Sequence, residues 1–205
     1  MQAFILKKTQ FGETNEVVTL YSREHGKFRA VAKAVKSPKS RLAFALQQLY
    51  LTEIDLLPAR NMPLIIGVKQ INAFKNISQN LNAVYPAMYA TEILLRSTAD
   101  EQPNAELFDL YKSFLEHLDK SFGSAAHACV NCFALKAMAM NGYALNGELK
   151  NASPAVRDFA AHYDISFDSA DEIKSPQKEV RSFVETYVSE ILERNLNSSR
   201  YLAKL

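Results

Sequence analysis

The sequence predicts an α+β, multi-domain chain: a small five-stranded closed β-barrel over residues 1–78, followed by an α-helical bundle over residues 79–205. Three observations predict it. Residues 1–75 hold five short runs rich in β-branched and aromatic residues, with turn signals between them. Near Asn76 to Asn82 the apolar spacing changes from period two to about 3.6. The charge divides at the same place: residues 1–80 carry 12 Lys+Arg against 5 Asp+Glu, and the remainder carries 12 against 17. A basic part beside an acidic part suits a chain in which one part meets a polyanion and the other does not.

The strands follow in order. AFILKK (3–8) is the first, and Gly12 and Asn15 bracket a turn. EVVTLYS (16–22) is the second, and Glu24, His25 and Gly26 turn the chain into a basic strand, KFRAVAKA (27–34). The loop KSPKSR (36–41) leads to ALQQLYLTEIDLL (45–57), expected as one long, bent strand. PARNMP (58–63) is a turn, and LIIGVKQINAF (64–74) closes the set with Gly67 as a bulge. This pattern fits an OB-fold, and it fits an SH3-like barrel equally well.

The helices come next. One is expected over 83–99, with Pro86 in its first turn. A second over 104–120 has Leu107, Leu110, Tyr111, Phe114, Leu115 and Leu118 on one stripe. A third starts at a Ser124 cap and stops at Gly142; its run AAHACVNCFALKAMAM is apolar on nearly every face, as the centre of a bundle requires. A short helix over 154–162, an acidic loop and a last amphipathic helix over 176–195 complete the chain.

Composition excludes several classes. Two cysteines argue against a disulfide framework. No early apolar run precedes a small-residue cleavage site, and no stretch reaches the roughly 18 apolar residues a membrane span needs. A soluble, cytoplasmic protein without membrane partners is expected.

The most informative stretch is 23–41, REHGKFRAVAKAVKSPKSR, where seven of nineteen residues are Lys or Arg and only Glu24 opposes them. Period two places Lys27, Arg29 and Lys33 on one sheet face, with Lys36, Lys39 and Arg41 on the following loop and Arg23 before it. Such a track can follow a phosphate backbone. Tyr21 and Tyr50 are the candidate base-stacking aromatics, while Phe28 alternates with the cations and belongs to the core. The competing account is a solvated edge strand kept from aggregating by its charges.

Other constellations carry less. Cys129 and Cys132 share a helix face without a second ligand pair, which suits small buried side chains better than zinc. Glu53 and Asp55 share a strand face and could hold Mg²⁺ as in a nuclease, but no third ligand or general base accompanies them. No Gly-rich phosphate loop of the Walker type exists. No cofactor and no catalytic residue are expected; His25, His117 and His162 are isolated.

The run FGETNEVVTLYSREHGKFRAVAKAVKSPKSRL (11–42) resembles the amino-terminal domain of the RecO family of DNA repair proteins. It supplies Gly12 and Glu13, Val17 to Leu20, Gly26 and Lys27, Ala30 to Lys33, and Lys39 to Leu42. FALKAMAMNGY (133–143) resembles the family's central helix, and LERNLNSSRYL (192–202) its carboxy-terminal tail. The resemblance implies an OB-fold followed by a helical domain. It also implies a recombination mediator that binds single- and double-stranded DNA, anneals complementary strands, works with RecR and contacts the acidic tail of single-stranded DNA-binding protein, so helping to place RecA on gapped DNA. An acidic tail would need a cation at a groove rim, for which Lys112, Lys136, Arg181, Arg194 and Arg200 are available. The alternative within the same fold is an RNA-binding module. Many relatives carry a four-cysteine zinc site soon after the central Gly-Tyr. Here ALNGELKNASPAVRDF follows Tyr143 without a cysteine, implying a zinc module reduced or lost.

Overall fold

A computed structural model describes residues 1–37, 40, 42–121, 126–145, 147–170 and 176–202. The chain divides into two compact units, the first Met1–Phe74 with Thr98–Phe108, the second Lys75–Ser97 with Asp109–Leu205.

The first unit is a closed barrel of β1 (Gln2–Phe11), β2 (Asn15–Ser22), β3 (Gly26–Ala32), β4 (Leu51–Leu57) and β5 (Leu64–Asn72). Their order around the barrel is β1-β2-β3-β5-β4, antiparallel except for β3 against β5. That order, closed by a parallel β3–β5 pair, is the OB arrangement and decides against the SH3-like alternative. Ala3, Ile5, Val18, Leu20, Phe28, Ala30, Ala32, Val35, Leu46, Ile54 and Ile65 fill the interior. Alternation along β2 and β3 puts these residues inside and their neighbours outside.

β1 changes phase partway. Ile5 pairs with Leu20, but Lys7, not Leu6, pairs with Thr19, so Leu6 is an inserted residue. Without this bulge Leu6 would pair with Thr19, and Lys7 would follow Ala3 and Ile5 into the apolar interior. With it Lys7 faces outward.

The expected long strand over 45–57 is corrected. Ala45 ends a short helix, α1 (Leu42–Ala45), and the strand begins only at Leu51. Between them Leu49 has φ +73°, a left-handed conformation that no strand accommodates. β1 extends past the expected Lys8 to Phe11. β3 stops at Ala32, so Lys33 lies in the following turn and not on the strand. Gly67 lies opposite Asp55 beside a register shift, and a Cβ there would come within 2.5 Å of Asp55 Oδ2.

Residues Thr98–Phe108 pack on the barrel. Lys27 Nζ donates to Thr98 O and lies 3.4 Å from Asp100 Oδ1, with its side chain 11% exposed. Glu101 N donates to Lys27 O at 2.7 Å, and Lys27 pairs with Asp100 in a one-residue bridge. Gly26 has φ +65°, and an added Cβ would stand 2.0 Å from Gln102 O. Only glycine satisfies both constraints. Phe108 meets Phe4 with ring centres 5.2 Å apart and Tyr21 at 6.3 Å. β1 is therefore buried on both faces over Ala3–Leu6.

The second unit is helical: α2 (Lys75–Gln79), α3 (Leu81–Ser97), α4 (Ala105–Ser121), whose first residues through Phe108 belong to the barrel unit, α5 (Ala126–Met140), α6 (Pro154–His162), α7 (Phe167–Ala170), α8 (Gln177–Ile191) and α9 (Ser199–Leu202). A 3-10 turn spans Glu148–Asn151. The central α5 is buried over Ala128–Leu135 and packs against α3, α7 and α8. Pro86 sits in the second turn of α3 because that helix starts two residues before the expected boundary. Ser153 caps α6 by accepting from Val156 N, and Pro154 occupies its first position. The Ser124 cap lies outside the described residues. Among the described residues no helix is long and apolar enough to cross a membrane.

Glu92 of α3 holds the carboxy-terminal tail by accepting from Ser198 N at 2.9 Å and Ser198 Oγ at 2.6 Å. Burial pushes its carboxyl up, but the Ser198 and Asn197 donors, with Arg96, hold it below the ordinary carboxylate range. Glu92 therefore contributes stability above the unfolded-state carboxylate value. That contribution is lost as pH falls through the lowered folded value. Amide exchange at Ser198–Leu202 is expected to accelerate in that acid window, and Glu92→Gln is expected to remove the pH dependence; exchange independent of pH, after correction for intrinsic rates, would contradict it. Gly26→Ala is expected to cost about 2 kcal/mol or more, since it combines strain at positive φ with a backbone clash. Urea denaturation reads this directly.

Candidate nucleic-acid interface

The outer surface of β1, β2 and β3 is the place where the basic stretch meets strand register. Lys7 pairs with Thr19 and Thr19 with Arg29, so the three form one cross-strand row. Their inward counterparts are Ile5, Leu20 and Phe28. Lys7 and Arg29 are exposed, separated by two strand spacings, or about 10 Å. Neither makes an ion pair or side-chain hydrogen bond among the described residues. The next row is Thr9, Val17 and Val31, and beyond Thr9 on the same face stands Phe11, 52% exposed.

The turn after β3 joins this face at the β1–β2 hairpin. Ala34 N donates to Asn15 Oδ1 (2.9 Å), Lys36 N to Thr14 O (3.2 Å) and Lys36 Nζ to Gln10 Oε1 (2.8 Å). Lys33 and Lys36 are exposed there. Arg23 is exposed in the β2–β3 turn. Lys39 and Arg41 lie outside the described residues.

Three of the candidates named from the sequence stand differently. Lys27 points outward as the alternation requires, but its ammonium is held by Thr98 O and Asp100. Tyr21 is fully buried, its hydroxyl donating to Asn104 O at 3.3 Å. Burial alone pushes that phenol up to about 12. Its ring packs on Phe108 and presents no face to a base. Tyr50 is half-buried against the barrel interior. The register instead supplies Lys7 and Phe11, which the sequence had placed in a strand of unread phase and at a turn edge. An aromatic next to Gly12, at the end of an alternating strand, was the available signal for Phe11.

The other constellations have structural partners. Glu53 Oε2 lies 3.9 Å from Lys69, and Asp55 covers Gly67. Cys129 Sγ donates to Phe167 O (3.6 Å), and burial pushes the Cys132 thiol up to about 12, with Lys136 pulling the other way. Among the described residues no cluster of three or more His, Cys, Asp or Glu side chains could hold a metal ion. Of the helical cations, Lys136 lies over the Phe167 ring and 3.7 Å from Asp164, Arg181 donates to Leu202 O, and Arg200 lies over Tyr201. Lys112 is 4.0 Å from Glu116, and Arg194 is exposed.

The family model described as Recombination protein O N terminal matches residues 1–74, and the one described as Recombination protein O C terminal matches residues 78–153. A protein of Dehalococcoides mccartyi (strain CBDB1) named DNA repair protein RecO is 32% identical over 142 residues, 69% of this chain and 55% of that protein. The protein of the same name from Myxococcus xanthus is 31% identical over 141 residues, 68% of this chain and 57% of that protein. The one from Bacillus pumilus is 31% identical over 119 residues, 58% and 46% of the two chains. The chain thus spans about half the length of the curated relatives it matches. With both domain models matched in order, on a closed five-stranded barrel followed by helices, the chain belongs to the RecO family of DNA repair proteins.

Proposed function

We propose that this chain binds single- and double-stranded DNA and anneals complementary strands as a mediator of homologous recombination. The observation that carries this is the outward row Lys7–Thr19–Arg29, continued by the exposed Phe11 and by Lys33 and Lys36 at the hairpin end. Cations spaced along one sheet face neutralise phosphates and reduce the repulsion between two strands, so that pairing can begin. An exposed aromatic at the end of the row offers a stacking platform indifferent to base identity. The role is one of binding and not of bond-making. RecR, the acidic tail of single-stranded DNA-binding protein and, through them, RecA are the partners the family membership favours. The helical unit is the part proposed to receive protein partners.

The test is annealing of complementary oligonucleotides in EDTA. A Lys7→Ala/Arg29→Ala/Lys33→Ala variant with an unchanged circular dichroism spectrum is expected to lose most annealing. Its log–log salt slope for single-stranded DNA is expected to fall by about 2, near 0.7 for each cation removed. Phe11→Ala is expected to weaken single-strand binding by about 1–3 kcal/mol and to leave duplex binding unchanged. Annealing retained in the triple variant would move the site elsewhere. A wild-type protein that neither binds nor anneals DNA at low salt would overturn the mediator function, and preference for RNA in direct competition would replace it.

A further inference from the structure

A polar cavity of about 180 Å³ lies in the helical unit between α3, α8 and the segment leading to α9. Tyr89, Glu185, Thr186, Ser189, Asn195 and Ser199 are among its lining residues. It is large enough for about ten water-sized groups.

The hydrogen-bonding inventory of this cavity leans towards acceptors, with the Asn195 amide and the Ser182 and Tyr89 hydroxyls as the side chains that can also donate. Thr186 Oγ1 donates to Ser182 O (2.9 Å), Ser189 Oγ to Thr186 O (2.9 Å) and Ser199 Oγ to Leu196 O (2.8 Å). Each of these hydroxyls has placed its only proton on a backbone carbonyl, so it can offer the cavity nothing but lone pairs. Glu185 adds a carboxylate whose Oε1 is buried and accepts no hydrogen bond. Arg181 Nε is the nearest cation, 3.9 Å from that oxygen and one turn back along α8. Burial raises the Glu185 carboxyl above its ordinary value, with Arg181 opposing, as expected of a charge short of donors. Tyr89, 1% exposed, brings a hydroxyl to the same lining and makes no hydrogen bond to the described residues. A buried polar side chain without a partner is uncommon in a native fold.

An acceptor-rich lining with one carboxylate calls for a ligand that is all donors and positively charged. A guanidinium has five N–H donors in a plane and no acceptor. We propose that this cavity receives an arginine side chain presented by a partner protein, with Glu185 taking the guanidinium and the Thr186, Ser189 and Tyr89 oxygens accepting its remaining donors. Nothing in this assignment depends on the DNA-binding face, which lies on the barrel unit.

The experiment titrates N-acetyl-arginine amide into the isotope-labelled full chain and follows backbone amide shifts. Millimolar binding is expected, with shifts confined to the neighbourhood of Tyr89, Glu185 and Ser199. The neutral isostere N-acetyl-citrulline amide is expected to bind at least about tenfold more weakly, because a hydrogen bond to a charged group is worth about 1.5–3 kcal/mol. Glu185→Gln is expected to weaken the arginine analogue by a similar factor, and Tyr89→Phe, which keeps the ring packing, by a few-fold. Equal binding of the citrulline analogue, shifts elsewhere, or unchanged affinity in Glu185→Gln would overturn the proposal. Binding by free arginine but not by the capped residue would replace a partner side chain with a small metabolite.

Discussion

The Lys27 ammonium is bonded to a backbone carbonyl 71 residues further along the chain, and the barrel unit is built around that contact. A lysine in the middle of a basic strand would ordinarily keep its charge in water. Here it gives up most of its hydration and satisfies Thr98 O and Asp100 instead. The surroundings conform to it. Gly26 removes the Cβ that would strike Gln102, Glu101 N returns a hydrogen bond to Lys27 O, and Tyr21 reaches Asn104 O. Phe108 then closes over Phe4 and Tyr21, which makes β1 a strand with two dry faces at its start and one wet face at its end.

This arrangement divides the basic stretch into structural and available charge. Lys27 and Arg29 are two residues apart on the same strand face, yet only Arg29 remains exposed and unpaired. The difference comes from what packs beside each. Residues 98–104 cover the start of β3 and leave its middle open. The exposed charge therefore forms a row running across the strands, from Arg29 to Lys7, and not a line running along one of them.

What the sequence revealed is what local rules control. Stripes such as Leu107, Tyr111, Phe114 and Leu118 repeat within one helix, so α4 could be placed to within a residue or so. The five strands and their closure were legible from turn residues and β-branched runs. The apolar run 45–57 was not, because its continuous hydrophobicity hides a break: Ala45 and Leu46 enter the core from a helical turn, and Leu49 adopts a conformation no propensity scale foresees. The misplaced site residues share another cause. Tyr21 and Lys27 have partners more than 70 residues away, and no window of local sequence contains both ends. Lys7 escaped notice because its direction depends on a single inserted residue in its own strand.

That inserted residue gives β1 a fixed phase. Leu6 separates two segments of opposite parity, an apolar one whose odd-numbered residues face inward and a polar one whose odd-numbered residues face outward. The facing of the outer half therefore follows the bulge and not the residue types along it. Drawing Leu6 into regular pairing with Thr19 would turn the whole outer half of β1 over, carrying Lys7 inside and Lys8 out, while every residue kept its chemistry. Pairing register at this point encodes which charges the barrel shows to its surroundings, and a slip of one residue separates a cationic face from a buried charge.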